Sequence, residues 1–182
     1  NISVSELDLL RKHKFLSEVI KFPDATTGEF YNYFNRELLY SLGVIPTSEL
    51  VNEIFDACTY KPWEVFEDSF YLKEIQAPMG IISNWDDSLS EKLEVYFDVD
   101  FKDVLSSAEL GYSKPDPRVF EKAISLSGEK PEEIMFVGDS IKLDIEPALA
   151  AGIQAILIDR DDLYPHFNGE RITSLTQLGR YL

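Results

Sequence analysis

The sequence has little that would mark a secreted, membrane-spanning or nucleic-acid-binding protein. Its 182 residues include one cysteine, Cys58, which excludes an internal disulfide framework and is typical of a reducing, cytoplasmic compartment. No apolar run approaches the roughly 20 residues that a membrane-spanning helix needs. Lys and Arg total 17 against 33 Asp and Glu, and the net charge of −16 repels nucleic acid. We therefore expect a cytoplasmic protein with no membrane or nucleic-acid partner, of unknown oligomeric state.

The first third of the chain has the apolar spacing of α-helices. Thr26-Thr27-Gly28-Glu29 has capping-box spacing, and four apolar residues then recur at helical intervals up to Gly43: Phe30, Phe34, Leu38 and Leu42. A further helix is predicted from Pro46, with these residues on its inner face: Leu50, Ile54, Ala57 and Cys58. The aromatic stripe could line a substrate or pack helix against helix, and its helical period favours packing.

From about residue 64 onward, predicted strands alternate with predicted helices. The strands lie near residues 79–83, 104–106, 134–137 and 155–158. Alternating strands and helices favour an α/β fold with a parallel sheet that is covered on both faces. We therefore divide the chain into a helical domain, residues 1–63, and an α/β domain, residues 64–182. In such sheets ligands bind beyond the carboxyl ends of the strands.

Two segments near strand ends have residue types that suit an anion. Ser83-Asn84 ends the first strand just before a helix, where a hydroxyl and backbone N–H groups can bind an anion or simply cap the helix. Lys114 lies in the turn Lys114-Pro115-Asp116-Pro117, whose prolines stiffen the backbone. A lysine held in this way can neutralise a phosphoryl group, although a solvated loop lysine is the common alternative.

A third segment follows the most hydrophobic strand. Asp139 lies in Gly138-Asp139-Ser140, and Asp144 follows five residues later. Two carboxylates at one strand end suit Mg²⁺, which takes a few carboxylate oxygens and keeps several waters. The alternative is that Asp139 caps a helix while Asp144 is solvated.

Taken in this order, the Ser at a strand end, the K-P-D-P turn and the G-D-S-x-x-x-D strand end resemble the haloacid dehalogenase superfamily. The resemblance covers about residues 64–182 and implies a Rossmann-like core, while residues 1–63 resemble the helical cap inserted after the first core strand. It implies an aspartyl-phosphate mechanism in which Ser83 and Asn84 bind substrate, Lys114 stabilises charge, and Asp139 and Asp144 hold Mg²⁺.

The nucleophile that the resemblance implies is absent from this sequence. The family places a strand ending in D-x-D before the cap, in the middle of the sheet, and a D-x-D considered for this role here is Asp98-Val99-Asp100. This segment follows a helical pattern without a Gly-Thr turn, so we interpret it as a solvated linker. We expect the nucleophile upstream of Asn1, and residues 1–182 alone to be inactive.

The leading hypothesis is therefore a Mg²⁺-dependent phosphatase of a small phosphorylated metabolite. One alternative is a catalytically inactive binding or scaffold protein on the same fold. Another is a metal-independent 2-haloacid dehalogenase. The acidic pair, Asp139 and Asp144, argues against this alternative because it resembles the phosphatases of the superfamily.

Overall fold

The computed structural model describes residues 3–20, 27–59 and 63–182, and it divides the chain into two compact units, Asn1–Trp63 and Glu64–Leu182. The first unit consists of α1 (Glu6–Val19), α2 (Gly28–Ser41) and α3 (Ser48–Thr59). Throughout the three described ranges, no helix has the length and apolar character needed to cross a membrane.

Capping side chains start the first two helices, and an apolar cluster packs them together. Ser5 Oγ accepts from Asp8 N at 3.1 Å, and Thr27 Oγ1 accepts from Phe30 N at 3.2 Å. The buried cluster contains Leu16, Phe34 and Leu38, with Ile20, Phe30 and Leu42 half-buried around it. The prediction that the aromatic stripe of α2 packs against other helices is confirmed.

The predicted inner face of α3 was partly wrong. Val51 is the buried residue of this helix, with Ile54 half-buried, whereas Ala57 and Cys58 are exposed. Apolar residues at 50, 51, 54 and 55 give the helix two candidate faces, and spacing alone does not choose between them.

The second unit has five short strands, all parallel to their partners. They are β1 (Gly80–Ser83), β2 (Asp103–Ser106), β3 (Met135–Gly138), β4 (Gln154–Ile158) and β5 (Arg171–Ile172). Within the described residues they form two sheets, β1-β2 and β3-β4-β5. The fold class is therefore α/β with parallel strands, as the sequence predicted.

Helical segments connect these strands. The α-helices are α4 (Leu89–Tyr96), α5 (Ser107–Leu110), α6 (Pro117–Ser127) and α7 (Glu146–Ala150). Three 3₁₀ segments, Glu67–Glu74, Pro131–Glu133 and Leu175–Arg180, and one π-helical turn, Ile141–Ile145, complete the unit. Gly128 ends α6 in the left-handed region at φ 77°, where a residue without a Cβ is favoured.

The core lies on both faces of β4. Side chains of a strand alternate between its faces, so Ala155 and Leu157 join one buried cluster while Ile156 and Ile158 join the other. The first cluster includes Val119 and Phe120 of α6, and the second includes Leu178 of the C-terminal 3₁₀ segment. This double coverage explains why β4 reads as a continuous apolar run.

Asp68 ties the segment before β1 to the chain after β4. Its carboxylate accepts from Arg160 Nη2 at 3.0 Å and from Leu175 N at 2.8 Å. Desolvation raises the pKa of Asp68, but the hydrogen bonds from Leu175 and Arg160 outweigh it, so the pKa lies below its ordinary value. A carboxyl with a depressed folded-state pKa contributes stability above its unfolded pKa, about 4, and loses it as pH falls through the folded pKa.

We therefore expect Asp68→Asn to flatten the acid limb of the stability curve. Urea unfolding at pH 6 and pH 3 should show a smaller loss of unfolding free energy in Asp68→Asn than in the wild type. Asp100→Asn, which changes an exposed carboxylate, is the matched control and should keep the wild-type difference. An equal loss of unfolding free energy in the wild type and in Asp68→Asn would show that the hydrogen bonds of Asp68 do not favour its ionised form.

Candidate active site

The first element of the site is the carboxyl end of β1. Ser83 is half-buried in the last position of the strand, paired in register with Ser106 of β2, and Asn84 is the first residue of the following loop. The carbonyl of Trp85 accepts from Ala108 N and from Ser107 Oγ, each at 3.2 Å. The loop after β1 is thus fastened to the loop after β2.

Asn84 bonds to the backbone of Lys114. Its Oδ1 accepts from Lys114 N at 2.8 Å, and its Nδ2 donates to Lys114 O at 3.0 Å. The lysine loop starts at Gly111, which adopts φ 73°, and ends at Asp116, which caps α6. Asp116 accepts from Arg118, by side-chain and backbone N–H, and these bonds lower its pKa to about 2.

The side chain of Lys114 reaches the loop after β3. Its Nζ donates to Asp144 Oδ1 at 2.6 Å, and only 13% of the lysine side chain and 4% of the aspartate side chain are exposed. The second oxygen of Asp144 accepts from Ser140 N at 3.1 Å. Lys114 Nζ also lies 5.8 Å from the ring centroid of Phe136 in β3. A lysine in this position is a fixed cation rather than a solvated surface charge.

Gly138 permits this arrangement because it has no side chain. A Cβ at this position would lie 2.4 Å from Asp144 Cβ and 2.6 Å from its Cγ, which is closer than real contacts allow. Asp144 therefore folds back against the end of β3. Ser140 supports the same turn, because its Oγ accepts from Leu143 N at 3.1 Å at the start of the π-helical turn.

The structure brings together three of the segments that the sequence singled out. Asn84, Lys114 and Asp144 form one continuous chain of hydrogen bonds, which links the carboxyl end of β1 to that of β3. Ser83 and Asp139 lie at the carboxyl ends of the same two strands, and Asp139 is exposed. Ser140 was not predicted as a site residue, although a serine directly before a helical segment is a recognisable N-cap, and its Oγ accepts from Leu143 N three residues later.

The acidic side chains here suit Mg²⁺ only in part. Asp139 is exposed, and both oxygens of Asp144 accept hydrogen bonds, from Lys114 and Ser140. Among the residues that the structure describes, no three His, Cys, Asp or Glu side chains are grouped so that they could hold a metal ion. Mg²⁺ is commonly held by one or two carboxylates with several waters, so Asp139 fits as one ligand of such an ion.

Asp98-Val99-Asp100 lies away from this edge. It connects α4 to the start of β2, and the carboxyl ends of β1 and β2 are at the other end of their sheet. The Asp98 side chain is 94% exposed and pairs with Lys73 at 2.8 Å. The interpretation of this segment as a solvated linker is confirmed.

A buried aspartate after β4 was missed by the sequence analysis. Asp159 accepts from the backbone N–H groups of Leu163 and Tyr164, both at 2.8 Å, and from Arg171 Nε at 2.9 Å. Arg171 also contacts Asp162, which adopts φ 53°. Asp159 thus shapes the loop at the carboxyl end of β4, a role that no local spacing indicates.

Comparison with known proteins identifies the family. Residues 6–152 match the model of a hydrolase family, the haloacid dehalogenase-like hydrolases. The chain belongs to this family. The order of Ser83, Lys114 and Asp139 along the chain is the order on which the resemblance was drawn.

Characterised proteins that are similar to this chain include phosphatases. A glyceraldehyde 3-phosphate phosphatase from Methanopyrus kandleri is 27% identical over 202 residues, covering 98% of this chain and 82% of that protein. A phosphoserine phosphatase from Thermus thermophilus is 45% identical over 60 residues, which are 33% of this chain. The matched part spans only 24% of the length of the Thermus relative.

Solved structures confirm the fold. The HAD-hydrolase YfnB from Bacillus subtilis, described as bound to magnesium, superposes with a TM-score of 0.69 over 99% of this chain and 83% of that one. The sequences are 19% identical, so the similarity establishes the architecture alone.

Proposed function

We propose that the protein is a Mg²⁺-dependent phosphatase that acts on a small phosphorylated metabolite. The observation that carries this proposal is the half-buried Lys114, fixed between Asn84 and Asp144 at the edge where the carboxyl ends of β1 and β3 come together. A fixed cation at such an edge stabilises the negative charge of a transferring phosphoryl group at no cost of reorganisation. Two relatives named for small phosphorylated metabolites support the substrate class.

Each residue of the site has a distinct task in this proposal. Ser83 Oγ donates to a phosphoryl oxygen, and Lys114 Nζ neutralises the charge that develops on the same group. Asp144 orients Lys114 through their ion pair, and Ser140 N donates to the second oxygen of Asp144. In this proposal, residues 1–63 correspond to the helical cap of the family.

The covalent step needs a carboxylate that we place outside residues 1–182. Its oxygen attacks phosphorus, the substrate alcohol leaves with a proton from an acid, and an aspartyl-phosphate forms. Water then attacks the same phosphorus, which releases inorganic phosphate and restores the carboxylate. Both steps develop charge on the phosphoryl oxygens that Ser83 and Lys114 face in this proposal.

Mg²⁺ would be held by Asp139 directly and by Asp144 through water. When bound, the ion supplies further positive charge to the phosphoryl oxygens and shields them from the attacking carboxylate. The field of this strongly acidic chain also favours cation binding.

The test is phosphate release by the full-length protein from a generic aryl phosphate. We expect release with Mg²⁺, none with chelator, and a loss of Mg²⁺-dependent thermal stabilisation in Asp139→Asn. The control is Asp161→Asn, at an exposed aspartate of the loop after β4, which should keep both properties.

Two outcomes would replace the proposal. Chelator-resistant halide release from a 2-chloro acid would favour the 2-haloacid dehalogenase, and a stable full-length protein without hydrolytic activity would favour the scaffold. Mg²⁺ stabilisation that persists in Asp139→Asn would remove Asp139 from the metal site.

A further inference from the structure

The contact between Asn84 and Lys114 joins a side chain to a backbone. The carboxamide of Asn84 meets both the N–H and the C=O of Lys114, at 2.8 and 3.0 Å. A carboxamide has the same donor and acceptor pair as a peptide group, so it satisfies both backbone groups of Lys114 at once. The sequence suggested that Asn84 binds substrate, but these two bonds use its oxygen and one of its two N–H groups.

The backbone at Asn84 is held in place by the strand before it and by the hydrogen bonds of the residue after it. Asn84 directly follows β1, and the next residue, Trp85, is bonded through its carbonyl to Ser107 and Ala108. The carboxamide therefore fixes the lysine loop, which begins at Gly111, relative to the end of β1. Asp144, which approaches from the end of β3, fixes the other end of the same lysine.

We propose that Asn84 is a positioning residue, which acts on the reaction only through Lys114. This inference rests on the proposed function, because it assumes that Lys114 stabilises the transferring group. The bonds to the Lys114 backbone fix where the side chain starts, and the ion pair with Asp144 fixes where it ends. Without the first constraint the ammonium group would still be present but would lie at a less favourable distance from the phosphoryl oxygens.

The first test is the steady-state kinetics of Asn84→Ala in the full-length protein. A displacement of about 1 Å in a catalytic group costs up to about 100-fold in rate, so we expect kcat to fall about 10- to 100-fold with KM little changed. Asn168→Ala, at an exposed asparagine of the same unit, should leave both constants at their wild-type values. A raised KM with unchanged kcat would overturn the proposal and make Asn84 a substrate ligand.

The second test is the double variant with Lys114→Ala. A residue that acts only through Lys114 has nothing left to position once the ammonium group is gone, so Asn84→Ala should add no further loss of kcat. Losses that multiply in the double variant would show that Asn84 contacts the reacting groups independently, which contradicts the proposal.

A third readout does not depend on activity. The Lys114 amide should exchange its hydrogen slowly in the wild type and in Asn84→Asp, which keeps the acceptor, but rapidly in Asn84→Ala. Unchanged exchange in a folded Asn84→Ala variant would refute the contact itself. If the full-length protein hydrolyses no phosphate ester while exchange responds as expected, the proposed function and the catalytic role of Asn84 fail, and the structural contact alone is retained.

Discussion

Replacing Lys114 by Ala is expected to reduce turnover by about 100- to 1000-fold, the usual effect of removing one electrostatic donor to a transition state. The side chain of Lys114 is only 13% exposed and its ammonium group is held by Asp144, so no other residue of this hydrogen-bonded chain supplies its charge. Its effect grows as charge develops on the phosphoryl oxygens, and KM should therefore change much less than kcat. Steady-state kinetics with an aryl phosphate and Mg²⁺ measure both constants.

Two further variants separate catalysis from folding. Lys114→Ala leaves the buried carboxylate of Asp144 without its cation, which could destabilise the fold. Lys114→Met keeps most of the side-chain volume and should show the same loss of turnover, with the folded state verified by circular dichroism. Lys122→Ala, at an exposed lysine of α6, is the matched control. Wild-type turnover in folded Lys114→Met would make Lys114 a structural residue only.

The parts of the fold that local patterns control were predictable. Turn and cap chemistry operates within a few residues, so a helix start near Thr27 could be recognised from the sequence. Thr26, the first residue of the predicted capping box, lies outside the described residues, and Thr27 caps α2. Lys114 and Pro115 lie in the loop before α6, which begins at Pro117. The four predicted strands are present, because buried parallel strands are continuous apolar runs.

The parts that depend on distant contacts were not predictable. β5 has only two residues, and it forms because they pair with Leu157 and Ile158 of β4. The π-helical turn after Ser140 depends on Asp144 folding back onto Gly138, which no helical periodicity indicates. These elements are stabilised by a partner elsewhere in the chain and not by their own composition.

The site was predicted as residue types but not as contacts. Strand ends and turn prolines pointed to Ser83, Lys114 and Asp139, because a parallel sheet places its strand ends at one edge. The bond from Asn84 to the Lys114 backbone spans 30 positions, and the alternative of a simple helix cap satisfied the same local pattern. Which polar group bonds to which is decided by the packed strands, so it becomes visible only in three dimensions.

The arrangement of the strands bears on the position of the nucleophile. In the described part of the chain, β1 pairs only with β2, and β3 pairs only with β4. One edge of β1 and one edge of β3 therefore have no partner strand among the described residues. β3 is apolar but only half-buried along its length, whereas β4 is almost completely buried. Unpaired strand edges and half-buried apolar strands are costly. We propose that a further strand lies between β1 and β3.

Four of the aspartates near the carboxyl ends already have other tasks. Asp86 accepts from the backbone and hydroxyl of Ser88, and Asp159 accepts from two backbone N–H groups and Arg171. Asp144 is bound by Lys114, and we assign Asp139 to the metal. The further strand is therefore the place where we expect the attacking aspartate, at its carboxyl end and within roughly 3–3.5 Å of the bound phosphorus.

The expected result is all or none. Residues 1–182 expressed alone should release no phosphate and should unfold at a lower urea concentration than the full-length protein. The full-length protein should contain an apolar strand ending in D-x-D and should hydrolyse aryl phosphates. Replacing the first aspartate of that motif by Asn should abolish turnover, because no carboxylate then attacks phosphorus. Asp87→Asn, at an exposed aspartate ahead of α4, should retain turnover. Phosphate release by residues 1–182 alone would place the nucleophile within them, and loss of that release in Asp98→Asn or Asp100→Asn would identify the linker as its source.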